Sequence, residues 1–163
     1  MLNDFVAEQG ALSCGSAGRG IVPEVNKLIA ATRRAGGAVI FVCDAHKPDD
    51  PEFERFAPHA VRGTWGARII DALAAKPDDY VVKKCRLNSF YRTSLGRVLR
   101  ELAPEVVCVA GVCTSICVMD AVSDLRTRGY EVVVPRKAVA DFDSEAHDFA
   151  LKRMGAVLGA KIV

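Results

Sequence analysis

Residues 105–135 read EVVCVAGVCTSICVMDAVSDLRTRGYEVVVP. Two apolar runs, 105–111 and 130–135, bracket a stretch that reads as a helix closed by Gly129. Short apolar runs without polar alternation mark strands buried on both faces, and parallel strands need a crossover, usually helical, between them. The stretch is therefore a strand–helix–strand unit. The pattern continues on both sides. Upstream, VPEVNKLIAATRRAGG sets Val25, Leu28, Ile29 and Thr32 at helical spacing, with Pro23 in the first turn and Gly36-Gly37 as the stop. AVIFVCD (38–44) and DYVVKK (79–84) read as strands, and WGARIIDALAA (65–75) and SLGRVLRELA (94–103) as helices. Downstream, SEAHDFALKRMGA (144–156) reads as a helix and AKIV (160–163) as a short last strand, while 1–20 and 45–64 read as loops. This alternation predicts one α/β domain over 1–163, a three-layer αβα, Rossmann-like arrangement with a mainly parallel sheet.

Composition is that of an ordinary globular chain: 163 residues, half of them hydrophobic, with 22 basic against 20 acidic side chains. Basic residues occur only in short runs such as TRRAG and VVKKCR, so no nucleic-acid partner is expected. No apolar stretch approaches the ~18 residues of a membrane helix, and the N-terminus shows no signal peptide. The cysteines are Cys14, Cys43, Cys85, Cys108, Cys113 and Cys117. Several sit in apolar strand-like runs, where buried free thiols are usual, and no zinc-ribbon spacing occurs. A cytoplasmic protein with reduced thiols is expected.

Ligands of parallel sheets bind at the carboxyl ends of the strands. That rule selects 44–59, Lys84, 111–117 and the loop after Pro135. In AGVCTSICV a strand ends near Gly111 and a helix begins around Ser115, which puts Cys117 in the first turn. Helix N-termini stabilise thiolates and can hold an oxyanion. The alternative is a buried structural thiol. Lys84 ends an apolar strand and can support a thiolate by charge, or it can snorkel to the surface; Lys83 and Lys84 face opposite ways, so one of them enters the site. In CDAHKPDDPEFERFAPHAVRG, Asp44, His46 and His59 can supply three ligands to a borderline divalent metal such as zinc, or can be loop groups bonded to backbone. Asp49, Asp50 and Glu52 read as solvated, and His147 as a packing or surface residue.

Taken in order, MLNDF, DAH…PHAVRGTWGA, KKCRLNSFYRTSL, VAGVCTSICVMDAVSDLRTRGYEV and EAHDFAL resemble the isochorismatase-like cysteine hydrolase superfamily, which includes nicotinamidases and N-carbamoylsarcosine amidases. The resemblance covers almost the whole chain. It implies a parallel sheet with helices on both faces. It implies Cys117 as a nucleophile that attacks a small amide and forms an acyl-thioester, with Lys84 as its partner. It implies a cis peptide at Val112–Cys113, which aims the N–H groups of Cys113 and Cys117 at the oxyanion. By the same resemblance Asp44, His46 and His59 bind a divalent metal (zinc, or iron or manganese), Phe5 and Phe56 sandwich the substrate ring, no organic cofactor is needed, and the protein is a homo-oligomer.

Departures from the family pattern carry expectations of their own. Cys117 argues against isochorismate as substrate, because true isochorismatase domains lack it. The nicotinamidase DWHP is DAHKP here, and Lys137 replaces an Asp. The family's general-base Asp ends a first strand immediately before the segment that reads MLNDF. The domain is therefore expected to be N-terminally incomplete, with Asp4 a separate structural residue. The competing expectation is a catalytically impaired or non-enzymatic relative that acts as a binding or oligomerisation module.

Overall fold

A computed structural model describes residues 1–163. Helices α1 (Asn3–Val6), α2 (Gly15–Gly20) and α3 (Val22–Arg34) lead into strand β1 (Ile40–Asp44). Strand β2 (Tyr80–Lys84), helix α4 (Leu95–Leu102), strands β3 (Val106–Cys108) and β4 (Gly111–Val112), and helix α5 (Met119–Thr127) follow. Strands β5 (Glu131–Val134) and β6 (Val139–Ala140), helix α6 (Ser144–Ala156) and strand β7 (Lys161–Ile162) complete the chain. Local chemistry sets the boundaries. Pro23 lies in the first turn of α3. Asp143 caps α6 by accepting from the N–H groups of Glu145 and Ala146 at 2.9 and 3.1 Å.

Every strand pair is parallel. β1 pairs with β2, with Asp44 level with Lys84; β5 lies between β3 and β7; β4 pairs with β6. Alternate residues of β1 serve two cores. Phe41 and Cys43 pack with Leu2, Val6, Val25 and Ile29 from α1 and α3, while Ile40 and Val42 pack towards Leu99, Val122 and Met154 from α4, α5 and α6. Helical layers therefore cover both faces of the strands, as the sequence predicts.

Three expectations fail. The stretch 65–75 is turns, not a helix. Its backbone closes only isolated turns on itself and bonds across to the first residues of the chain: Asn3 N–H donates to Arg68 O at 3.0 Å, Asp4 N–H to Gly66 O at 3.1 Å and Ile70 N–H to Met1 O at 3.3 Å. Gly66 permits this, since a Cβ there would collide with the Asp4 carboxylate. The first twenty residues likewise fold into α1 and α2, where a loop was expected.

The sheet is also split. The edges of β1 and β3 line one apolar cleft of about 490 Å³ without pairing across it. Val39–Val42 and Val106–Ala110 both line it, together with Met1, Lys84 and Cys117. Val106 is 53 % exposed and Cys108 is exposed, against the expectation of a strand buried on both faces. The cause is that β3 has a strand neighbour on one side only.

Candidate active site

Three loops converge at the carboxyl ends of β1, β2 and β4. The Val112–Cys113 peptide is cis, and Gly111 adopts φ 121°, a conformation only glycine accepts readily. Residues Thr114–Val118 then form a π-helical turn that runs into α5. Asp141 holds this turn, its Oδ2 accepting from Ser115 N–H at 2.7 Å, and the ring Nδ1 of His147 lies 2.9 Å from Thr114 Oγ1. His147, read from sequence as a packing or surface residue, thus contacts the turn that carries Cys117, and Asp141 went unread. A carboxylate just ahead of the N-cap Asp143 is a weak signal in sequence.

Cys117 Sγ accepts from Lys84 Nζ at 3.6 Å. Lys84 is buried, whereas Lys83 points outward. The Lys84 ammonium also donates to Asp44 Oδ1 at 2.5 Å and to Arg86 O at 2.9 Å, so all three of its protons have acceptors. Burial lowers the Lys84 pKa, but the facing Cys117 and Asp44 more than reverse this, and the net shift is upward: the ammonium stays charged. For Cys117, burial raises the thiol pKa and Asp44 adds to it, against the lowering effect of Lys84; the net shift is upward. Cys14 Sγ lies 3.1 Å from Cys113 Sγ, beneath the same loop.

Beside this pair lies a second cluster. Ligand atoms of His46, Glu52 and His59 all fall within 4.8 Å of one another, and all three residues are buried. Asp44, read from sequence as the third metal ligand, borders the group instead: its Oδ1 is 3.8 Å from His46 Nε2 but is held by Lys84. Glu52, read as solvated, is inside. The Asp50-Pro51 step starts a 3₁₀ turn (Pro51–Glu54) that swings Glu52 inward, with Asp50 Oδ1 accepting from Glu52 N–H at 3.0 Å. An Asp N-cap followed by Pro was the signal available. His46 Nε2 and Glu52 Oε2 are buried without any hydrogen-bond partner. Buried polar atoms left unpaired are costly, and a shared cation would satisfy both. His59 Nδ1 donates to Ala57 O at 2.8 Å, which leaves its Nε2 lone pair available. The donor set of two imidazoles and a carboxylate fits a borderline divalent metal.

Aromatic rings surround His59. Phe5, Phe53 and Phe56 lie 5.5, 5.6 and 6.2 Å from it, each edge-on. Phe5 and Phe56 are the pair read from sequence, and Phe53 was missed because it sits in the same 3₁₀ turn as Glu52. Asp4 takes a structural place, its Oδ2 accepting from Ala60 N–H at 2.7 Å immediately after His59. Lys137 is exposed and outside the site.

Known proteins share this arrangement of elements. The isochorismatase domain family matches residues 1–162. An isochorismatase family protein, PncA, of Bacillus subtilis is 35 % identical over 98 % of this chain and 93 % of its own. A probable inactive nicotinamidase of Arabidopsis thaliana is 32 % identical over 90 % of this chain and 80 % of its own. The crystal structure of nicotinamidase PncA from B. subtilis superposes with a TM-score of 0.91 at 33 % identity, covering 99 % of this chain and 94 % of that one. A pyrazinamidase of Pyrococcus horikoshii in complex with zinc gives a TM-score of 0.94 at 28 % identity, over 100 % and 94 %. By fold and by sequence along nearly its entire length, this chain belongs to the isochorismatase family, among the isochorismatase-like cysteine hydrolases.

Proposed function

We propose that the protein hydrolyses the C–N bond of a small, ring-bearing amide of the nicotinamide type, with Cys117 as nucleophile. The contact between Lys84 Nζ and Cys117 Sγ, beside the His46–Glu52–His59 cluster, carries this reading. The Cys117 thiolate attacks the amide carbonyl, and the N–H groups of Cys113 and Cys117 stabilise the oxyanion. The C–N bond breaks, the nitrogen takes the thiol's proton and leaves as ammonia, and water then hydrolyses the thioester. Phe5 and Phe56 flank the ring. His46, Glu52 and His59 hold a divalent ion, zinc or alternatively iron or manganese, with Asp44 alongside. Such an ion, when bound, would supply Lewis acidity beside the substrate ring. Lys84, Cys117 and Met1 belong to the lining of the apolar cleft. The protein is read as cytoplasmic, where cysteines such as its six unpaired ones stay reduced, and as a homo-oligomer.

The test is ammonia release from nicotinamide, pyrazinamide and simple aliphatic amides. Activity is expected on the aromatic amides. Ammonia release from none of these amides contradicts the reading.

A second reading, an impaired relative that binds but does not turn over, is favoured by one observation: the Cys117 pKa is raised despite its ammonium neighbour. Alkylation separates the two. With the pKa above the ordinary thiol value of about 8.5, the iodoacetamide rate at Cys117 is expected to climb with pH and to go on climbing past pH 9. A plateau near pH 7 means an activated thiolate already present. No alkylation at any pH supports the impaired reading.

A further inference from the structure

We infer that Asp50 is the positioning residue of the metal centre: one carboxylate orients two of its three donors. This rests on the proposal that His46, Glu52 and His59 bind a divalent ion. Asp50 Oδ2 lies 3.1 Å from His46 Nδ1, and Oδ1 accepts from the Glu52 N–H at 3.0 Å and from Arg86 Nη1 at 2.9 Å. Asp50, His46 and Glu52 are all buried. A carboxylate only accepts, so His46 Nδ1 carries the proton and its orphaned Nε2 presents a lone pair to the site. The second oxygen caps the 3₁₀ turn (Pro51–Glu54), and that turn carries Glu52 inward. The two donor atoms left without partners, His46 Nε2 and Glu52 Oε2, are thus both aimed through Asp50. Neither residue has this arrangement by default. A freed His46 ring can flip or take the other tautomer, and an uncapped turn lets Glu52 swing out to solvent.

Arg86 extends the device to the nucleophile. Its guanidinium holds Asp50, and its own carbonyl accepts from Lys84 Nζ at 2.9 Å. The loop after β2 therefore fixes Lys84 at one end of residue 86 and the outer shell of the metal cluster at the other. Partners of metal-bound imidazoles typically affect metal affinity about 10–100-fold.

Asn at position 50 is isosteric but cannot accept at both ends. If its carbonyl faces His46, its NH₂ opposes the Glu52 N–H and Arg86. If the NH₂ faces His46, the imidazole must accept at Nδ1, and its proton moves to Nε2, the metal-facing atom. The experiment is calorimetric titration of the metal-stripped protein with Zn²⁺ and Mn²⁺, for the parent, Asp50→Asn, Arg86→Gln and His59→Ala. In parallel, ¹⁵N spectra of the imidazoles read the tautomer of His46. The parent is expected to bind one ion with His46 in the Nδ1–H form, and His59→Ala to lose binding. Asp50→Asn is expected to weaken binding about 10–100-fold with a shift towards the Nε2–H form, and Arg86→Gln to weaken it less. Should Asp50→Asn unfold, Arg86→Gln carries the test on the same two readouts. Parent-like affinity and tautomer in Asp50→Asn, with binding still lost in His59→Ala, overturn the role of Asp50 and leave the metal site standing. A parent that binds neither ion overturns both.

Discussion

Replacing Cys117 by Ala is expected to take ammonia release down to the uncatalysed background while leaving the fold intact. The loss is on the order of 10⁴–10⁶-fold, the scale on which removing the nucleophile of a covalent hydrolase acts. The thiol is only partly buried and accepts one hydrogen bond, from Lys84, so its removal costs little packing. Far-UV circular dichroism and the melting temperature should stay near those of the parent. Colorimetric ammonia release from nicotinamide measures the activity. Parent-like turnover in Cys117→Ala would mean that water attacks the amide directly and that the Lys84–Cys117 contact is structural.

Lys84→Met is expected to damage both stability and activity. Lys84 and Asp44 form an ion pair at 2.5 Å with side chains 3 % and 10 % exposed. Removing one member of a buried pair leaves the other charge without a partner and costs about 3–5 kcal/mol. For a chain of this length that lowers the melting temperature by roughly 10 °C. The direction with pH follows from the raised Lys84 pKa. A cation whose folded-state pKa lies above its unfolded value stabilises the fold at all lower pH, and loses that effect only as pH climbs through the folded value, above the ordinary 10.4 or so. The difference between parent and Lys84→Met should accordingly be flat across neutral pH. The double variant Lys84→Met/Asp44→Leu should melt higher than Lys84→Met, because no lone buried charge remains. Activity should be lost in both variants, since Cys117 loses the ammonium neighbour that lowers its pKa. Differential scanning calorimetry of the three proteins checks the stabilities. A Lys84→Met variant as stable as the parent would show that the pair is no better than solvated charges.

The strands and most helices are legible in the sequence because apolar periodicity reports burial, and burial is what they share. Residues 65–75 mislead for a physical reason. Ile69, Ile70 and Leu73 have helix-like spacing, yet the N–H groups of Asn3 and Asp4 reach the carbonyls of Arg68 and Gly66, and Met1 O accepts from the Ile70 N–H, so the segment bonds outward. The exposure of Val106 and Cys108 is not marked within that strand, whose composition is that of an interior one. At the site, Cys117, Lys84, His46 and His59 are marked by their positions after strands. Glu52, Phe53 and Asp50 are not, because nothing in a run of acidic loop residues distinguishes an inward carboxylate until the turn at Pro51 sets its direction. Asp44 is read as a metal ligand but borders the cluster, because its pairing with Lys84 depends on the parallel register that sets the two strand ends level.

Covalent catalysis by Cys117 is tested most directly by acid-quenching the protein during turnover of nicotinamide and mapping the peptides by mass spectrometry. A nicotinoyl thioester on the peptide that contains Cys117, absent from Cys117→Ala and discharged by hydroxylamine, is the predicted result. Ammonia release without any adduct on Cys117, or with the adduct on another cysteine, would contradict it.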